Sequence, residues 1–167
     1  FVSASKINGR CDSNAAFAGA TSISNGTWYH VCLVWASNTG TLYLNGSSDA
    51  TGTCNAPGNG NAEIIGCYEE SQNPLNSFFS GSISNVAVWN TNLSATEIGI
   101  LASSRVNYIP LQIQNASLKG YWLLNDQPNG ESFDGDIARD SSANGNNASG
   151  AGGAGIVMLA DPILTYP

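Results

Sequence analysis

The fold depends first on the stretch TWYHVCLVWA, Thr27–Ala36, which is apolar at almost every position and contains no acidic residue, lysine or arginine. Successive side chains of an extended chain point to opposite faces, and here aromatic or aliphatic side chains lie on both. A strand of this kind belongs in the middle of a structure rather than at its edge, because neither face suits water. We therefore predict an interior β-strand at this position.

Turn signals separate this stretch from similar apolar segments along the chain. Asn-Gly pairs, which are a strong two-residue hairpin signal, occur at Asn8-Gly9, Asn25-Gly26 and Asn45-Gly46. Further apolar segments follow at the short intervals of a sandwich or barrel: TLYLNG (41–46), AEIIGCY (62–68), SFFSGSISNVAVWN (77–90), LKGYWLLN (118–125) and IVMLADPILTYP (156–167). In the third of these, we expect Ile83, Val86 and Val88 to lie in the core.

One segment has helical rather than strand character. In LSATEIGILASS (93–104), Ser94 is a candidate N-cap and Glu97 stands three residues later, which is the capping-box pattern. The sequence therefore predicts an all-β fold of antiparallel strands in two sheets, with one short helix near residues 94–103.

The composition agrees with this fold class. Charged residues make up 10% of the chain, against about 25% in an average soluble domain. The chain is instead rich in three small residues, with 21 Ser, 20 Asn and 19 Gly. These residues favour turns and disfavour helices.

The charge limits the classes of partner. The net charge is −7 with five basic residues, too few to form a basic patch, so we expect no binding to nucleic acid or to anionic lipid. No apolar run approaches the roughly 18 residues needed to span a bilayer. Because the sequence begins with Phe1 rather than Met, we expect it to be part of a longer chain.

The four cysteines leave the disulfide pattern open. Cys11, Cys32, Cys54 and Cys67 permit three complete pairings, and the sequence does not choose between them. Cys32 lies inside the apolar strand, where a small buried thiol is an ordinary occupant. With no CxxC pair and one histidine, we expect no structural zinc site.

Two segments resemble a known family. NGTWYHVCLVWASNTGTLYLNG (25–46) and FFSGSISNVAVWNTNLSATEI (78–98) are similar to the central and closing motifs of laminin-G-like, concanavalin A-like domains. The resemblance implies a jelly-roll sandwich. The chain departs from the family at Asn45, where the family has Asp, and at Ser84 and Asn85, where it often has Asp-Glu. Both changes remove carboxylates and any metal or catalytic role that they would carry.

A third resemblance concerns chain order. YWLLND (121–126) and RDSSANGNN (139–147) are similar to the first strand of the family and the loop after it, yet they follow the predicted helix. We predict a single domain over residues 1–167, in which residues 118–167 form a permuted closing strand and a C-terminal extension. The alternative is that a second domain begins here.

The same region is a candidate calcium site. Oxygen-rich loops suit Ca²⁺, which takes six to eight oxygen ligands, and the candidate ligands are Asp126, Asp134, Asp136 and Asp140. The alternative is a solvated loop with Asx turns. We expect no cofactor other than this possible calcium ion.

Nothing in the sequence indicates catalysis. No GxSxG motif accompanies His30, for which we expect a hydrogen-bonded structural role. The Glu-x-Asp-x-x-Glu spacing of the laminarinase-type hydrolases that share this fold is absent. A glycoside hydrolase is therefore the less favoured alternative.

Candidate contact residues are the aromatics near loops, whose ring faces can stack on sugars: Tyr68, Phe78, Phe79 and Tyr108. The alternative is that they fill the core or a sheet edge. We predict a non-catalytic structural or decoration module of a virion or cell surface, located outside a cell or on a particle, that contacts protein neighbours or glycans and forms oligomers. The alternative function is a dedicated carbohydrate-binding lectin domain.

Overall fold

The computed structural model describes residues 2–3, 5–10, 16–54, 65–66, 79–103, 109–125 and 137–150. The chain forms two compact units: unit 1 comprises Phe1–Asn61 and Thr91–Ile109, and unit 2 comprises Ala62–Asn90 and Pro110–Pro167. In the described ranges the regular structure consists of antiparallel strands, one α-helix and two short 3₁₀ turns. The all-β prediction is confirmed.

The first sheet of unit 1 contains β1 (Val2–Ser3), β2 (Lys6–Gly9) and β3 (Phe17–Ser22) in that order. The predicted hairpin turn at Asn8-Gly9 is wrong, because both residues lie in β2 and pair with Ala18 and Phe17. A turn at Ser5, which has a φ of 58°, joins β1 to β2.

The second sheet of unit 1 contains β4 (Val31–Ala36), β5 (Thr39–Leu44) and β6 (Ser47–Thr53). Two-residue turns join them, and in each turn both residues have positive φ: 47° and 64° at Ser37-Asn38, and 49° and 84° at Asn45-Gly46. This geometry is that of type I′ turns, which match the twist of a hairpin. The Asn45-Gly46 prediction is confirmed.

Phe17 explains three glycines of unit 1. A methyl group on Gly9 or Gly52 would overlap the Phe17 ring, and one on Gly40 would lie 3.1 Å from that ring. Gly40 and Gly52 are partners across β5 and β6. The aromatic ring therefore occupies the space that three side chains would otherwise fill, and this tertiary contact keeps Gly9 in a strand.

The helix α1 (Ala95–Ser103) begins as predicted. The Glu97 carboxylate accepts hydrogen bonds from the Ser94 backbone N–H and hydroxyl, both at 2.7 Å. The Ser94 hydroxyl oxygen accepts the Glu97 N–H at 3.3 Å. The capping box is thus complete.

Unit 2 is held together by β7 (Val86–Trp89), β8 (Leu118–Trp122), β9 (Ile137–Ala138) and β10 (Ala148–Ser149). β7 pairs antiparallel with β8, and β9 with β10. Buried Trp122, Leu124 and Ala138 form a cluster, against which Ile83, Val86 and Val88 pack among others. The three residues predicted to lie in the core are partly buried and pack against it.

The segment that resembles an opening strand is therefore a paired strand with a buried tryptophan. β8 follows α1 in the chain and pairs with β7, which precedes α1. The permuted, single-domain organisation over 1–167 stays a prediction.

The two described cysteines differ in their bonding state. Cys54 is fully buried and disulfide-bonded, whereas Cys32 is free. Cys11 and Cys67 lie outside the described residues.

Candidate functional site

Most of the predicted site residues lie outside the described part of the chain. These are Asp126, Asp134 and Asp136 of the calcium prediction, and Tyr68, Phe78 and Tyr108 of the contact prediction. Phe79 is described and is 45% exposed. Its ring lies over Gly81, where a methyl group would come within 2.7 Å of Cε1.

Asp140 is described, and its carboxylate is an anchor for the loop that follows it. Oδ1 accepts hydrogen bonds from the backbone N–H groups of Tyr121 at 2.9 Å and Ser142 at 2.8 Å. Oδ2 accepts the Ser142 hydroxyl and the Asn146 N–H, both at 2.8 Å. The four donors match the roughly four lone-pair positions of a carboxylate.

Two asparagines of the same loop bind the backbone of β8. The amide nitrogen of Asn144 donates to the Leu118 carbonyl at 2.8 Å, and that of Asn146 donates to the Lys119 carbonyl at 2.6 Å. The Trp122 indole N–H donates to the Asn146 carbonyl at 2.9 Å. The motif RDSSANGNN therefore fastens its loop along β8 with polar side chains.

The hydrogen bonds to Asp140 lower the pKa of its carboxyl. Desolvation alone raises the pKa of this carboxyl, but the hydrogen bonds from Tyr121, Ser142 and Asn146 outweigh it and hold the pKa below its usual value. This geometry favours the Asx-turn alternative for Asp140. The described residues contain no group of three or more potential metal ligands, and calcium binding that involves the other aspartates stays a prediction.

Asn85, which replaces an acidic residue of the family motif, has a structural contact. Its Oδ1 accepts the hydroxyl of the fully buried Tyr121 at 2.8 Å, and its backbone has a φ of 55°. A neutral amide is thus sufficient to satisfy the buried phenol.

His30 holds a turn through its backbone. Its N–H donates to Asn45 Oδ1 at 3.0 Å, and its carbonyl accepts the Asn45 N–H at 2.8 Å. The imidazole differs from the expected hydrogen-bonded side chain, because Nδ1 is buried without a partner. Burial lowers the pKa of His30, which favours the neutral form.

The three carboxylates within the described ranges all accept hydrogen bonds from the protein. Glu97 caps α1 and Asp140 anchors its loop, as above. Asp49 Oδ1 accepts the Thr21 N–H at 3.0 Å and the Thr21 hydroxyl. Glu97 and Asp140 therefore have structural roles, whereas Asp49 makes its contacts through Oδ1 and its Oδ2 is buried without a partner.

An exposed apolar surface, which the sequence analysis missed, lies on β4 and just before it. Trp28 is 55% exposed, Val31 44% and Leu33 42%; we call these three residues the β4 patch. Val31 pairs with Leu44 and Leu33 with Leu42, so their side chains share a face with those buried leucines. The same face of the sheet is therefore buried at β5 and exposed to solvent at β4.

The position of β4 explains this exposure. In the described structure it pairs with β5 on one side and with no strand on the other, so the predicted interior position differs from the observed edge position. An apolar pattern predicts burial but contains no information on which strand lies alongside.

Comparison with known proteins places these features in a family. Over 93 residues the chain is 32% identical to a protein of rat and of mouse, in each case "Sushi, von Willebrand factor type A, EGF and pentraxin domain-containing protein 1". The match covers 50% of this chain and 3% of each relative, so the chain spans a small part of their length.

Two solved structures are similar. An S-layer domain-containing protein of Clostridium thermocellum is 28% identical, with a TM-score of 0.45 over 53% of this chain and 45% of that one. A protein of Bacteroides ovatus, whose proposed role is carbohydrate binding, has a TM-score of 0.52 at 18% identity over 82% of this chain and 38% of that one. The second likeness supports the sandwich fold. The laminin G family of the "Concanavalin A-like lectin/glucanases superfamily" matches residues 3–99, and the chain belongs to that family.

Proposed function

We propose that this chain is a non-catalytic binding module, which acts on the surface of a cell or virion by contacting protein neighbours or glycans. The observation that carries the proposal is the β4 patch. Its three apolar side chains are exposed on and next to one strand, on a chain that has few charges to keep such a surface in water.

The hydrophobic effect favours covering the β4 patch. Covering apolar surface gains about 25 cal/mol per Å², and contiguous exposed apolar residues mark contact sites more often than scattered ones do. Val31 and Leu33 stand two residues apart on one face of β4. A partner laid on this strand would therefore cover both at once.

The described carboxylates and the imidazole of His30 support the non-catalytic part of the proposal. General acid–base chemistry needs a carboxylate or imidazole that is free to exchange a proton with substrate. The carboxylates of Asp49, Glu97 and Asp140 accept hydrogen bonds from backbone or hydroxyl groups. The Nδ1 atom of His30 is buried.

A dedicated lectin is the second candidate, and Trp28 favours it. This indole is the most exposed part of the β4 patch, and it follows the polar turn at Asn25-Gly26. An exposed aromatic ring beside hydroxyl and amide groups suits a neutral sugar, because the ring face stacks on apolar sugar faces. The role proposed for the Bacteroides ovatus protein is consistent with this candidate.

The test combines a glycan array with light scattering of the purified chain, for the wild type and for Trp28→Ala. Ile137→Ala is the matched control, because Ile137 is as exposed as Trp28 and lies in unit 2. Glycan binding that Trp28→Ala removes and Ile137→Ala retains supports the lectin. Association between protein molecules that depends on the patch supports the protein-contact module. A chain that shows neither would contradict the proposal.

A further inference from the structure

We propose that the partner of the β4 patch is a second copy of this chain, which pairs with β4 edge to edge in antiparallel orientation. The β4–β6 sheet of one copy and the β4–β6 sheet of the other would then form one six-stranded sheet. The inference rests on the proposed binding role of the β4 patch and specifies its partner. The two edges of the β4–β6 sheet differ in the features that control strand pairing.

The β6 edge carries the features that prevent strand pairing. Tyr43 pairs with Ser48 and Leu42 with Ala50, so Asp49 is an extra residue, a bulge between paired positions. The Asp49 side chain is acidic, and Thr21 of β3 donates hydrogen bonds to it. Bulges, charged residues and covering segments are the devices by which edge strands avoid association.

Among the described residues, none of these devices is present at the β4 edge. Its six residues, VCLVWA, include no charge and no proline. They pair with β5 in continuous register from Val31–Leu44 to Ala36–Thr39. A regular, uncharged apolar edge is the kind that pairs with another strand.

The backbone groups available for pairing follow from one hydrogen bond. The His30 carbonyl accepts a hydrogen bond from the Asn45 N–H at 2.8 Å. The backbone polar groups of His30 therefore face the β5 side of the strand. Because antiparallel residues alternate between the two sides of a strand, Val31, Leu33 and Trp35 direct their N–H and C=O groups outward. These three residues stand at every second position along the β4 edge, and Val31 and Leu33 belong to the β4 patch.

Symmetry and the uncharged edge favour a second copy as the occupant, whereas the net charge opposes it. A two-fold axis through Leu33 would place Leu33 opposite itself and Val31 opposite Trp35, so that apolar side chains meet on the core-side face. No charges would face each other across the strands, although each copy carries −7 overall. Long-range repulsion should therefore weaken the dimer at low salt, and added salt should strengthen it.

The first test is sedimentation velocity over a concentration series. One pair of short strands buries less than the area of a standard stable interface, so we expect a dissociation constant of about 10–100 µM. Leu33→Lys should abolish the dimer, because it would place two ammonium groups at the axis. Ile100→Lys, in α1 at 46% exposure against 42% for Leu33, is the control and should leave the dimer intact.

The second test addresses register and does not depend on the stability of Leu33→Lys. The same axis places Cys32 opposite Val34 as a non-hydrogen-bonded pair, with Cα atoms about 4.5 Å apart, which is within disulfide range. Catalysed air oxidation of Val34→Cys should therefore yield a covalent dimer through Cys32. Cys32→Ser in the same background should remain unlinked.

The outcomes separate this inference from the proposed function. A chain that stays monomeric at every concentration, or a dimer unaffected by Leu33→Lys, overturns the strand pairing. Glycan binding by a monomer that requires Trp28 would refute the dimer and leave the binding module standing. A salt-strengthened dimer with the Cys32 cross-link supports both.

Discussion

The carboxylate of Asp140 accepts a hydrogen bond from the backbone N–H of Tyr121 at 2.9 Å, which links the loop 140–147 to the middle of β8. In return, the Tyr121 carbonyl accepts the N–H of Ser141 at 2.7 Å. This exchange fixes the register of the loop on the strand that carries Trp122. The polar motif and the buried tryptophan are therefore parts of one structural unit.

We expect Asp140→Asn to destabilise the protein by about 1–3 kcal/mol at pH 7, because an amide cannot accept all four hydrogen bonds and leaves backbone donors unpaired. Since the folded pKa of Asp140 lies below its ordinary value, the charged carboxylate stabilises the fold above about pH 4. That contribution is lost as pH falls through the folded pKa. Urea unfolding of both proteins at pH 7 and pH 3 should show a gap in the free energy of unfolding that narrows at the lower pH. A gap that widens in acid would contradict the assignment.

Removal of divalent ions should leave the Asp140 loop intact, because N–H and O–H donors occupy the carboxylate. The indole N–H resonance of Trp122, whose acceptor is the Asn146 carbonyl, reports on the loop directly. We expect this resonance and the melting temperature to be unchanged by EDTA. A shift that EDTA causes and Ca²⁺ reverses would instead make Asp140 a metal ligand and support the calcium prediction. A bound ion at 100 times its dissociation constant would stabilise the fold by about 2.7 kcal/mol.

The glycines of the Asn45-Gly46 and Asn25-Gly26 pairs offer a matched pair of substitutions. Gly46 has a φ of 84°, and a methyl group on it would lie 3.0 Å from Ala102 Cβ of α1. Gly26 has a φ of 74° with nothing within 4 Å. Both Gly→Ala changes should cost about 1 kcal/mol for the left-handed backbone, and Gly46→Ala should cost about 1–3 kcal/mol more for overpacking. Chemical denaturation measures both, and equal costs would mean that α1 does not press on this turn.

Local signals along the chain were sufficient to predict several elements. Ser94 and Glu97 are neighbours in sequence and on the helix, so the start of α1 follows from their spacing. Asn45-Gly46 tolerates the positive φ angles of a hairpin turn, so that hairpin follows from the dipeptide. In both places the residues that form the structure lie within three positions of each other in the chain.

Features that depend on distant residues could not be predicted in the same way. Asn8-Gly9 has the same turn signal, but the Phe17 ring requires glycine at that position in a strand. The exposure of Leu33 depends on which strands lie beside β4. The aspartate motif indicated a polar loop, but its donors on β8 became evident only from the fold.

The free thiol of Cys32 gives a last prediction. Burial raises the pKa of Cys32 to about 11, so about 0.1% is thiolate at pH 8, against about a quarter of an ordinary thiol. Iodoacetamide should therefore alkylate Cys32 roughly tenfold to a hundredfold more slowly in the native protein than in urea, since the thiolate is the nucleophile. Peptide mapping by mass spectrometry distinguishes Cys32 from Cys54, which should be labelled only after reduction because it is disulfide-bonded. Fast native labelling of Cys32 would mean that β4 opens readily, in which case the regular edge required for strand pairing would not persist in solution.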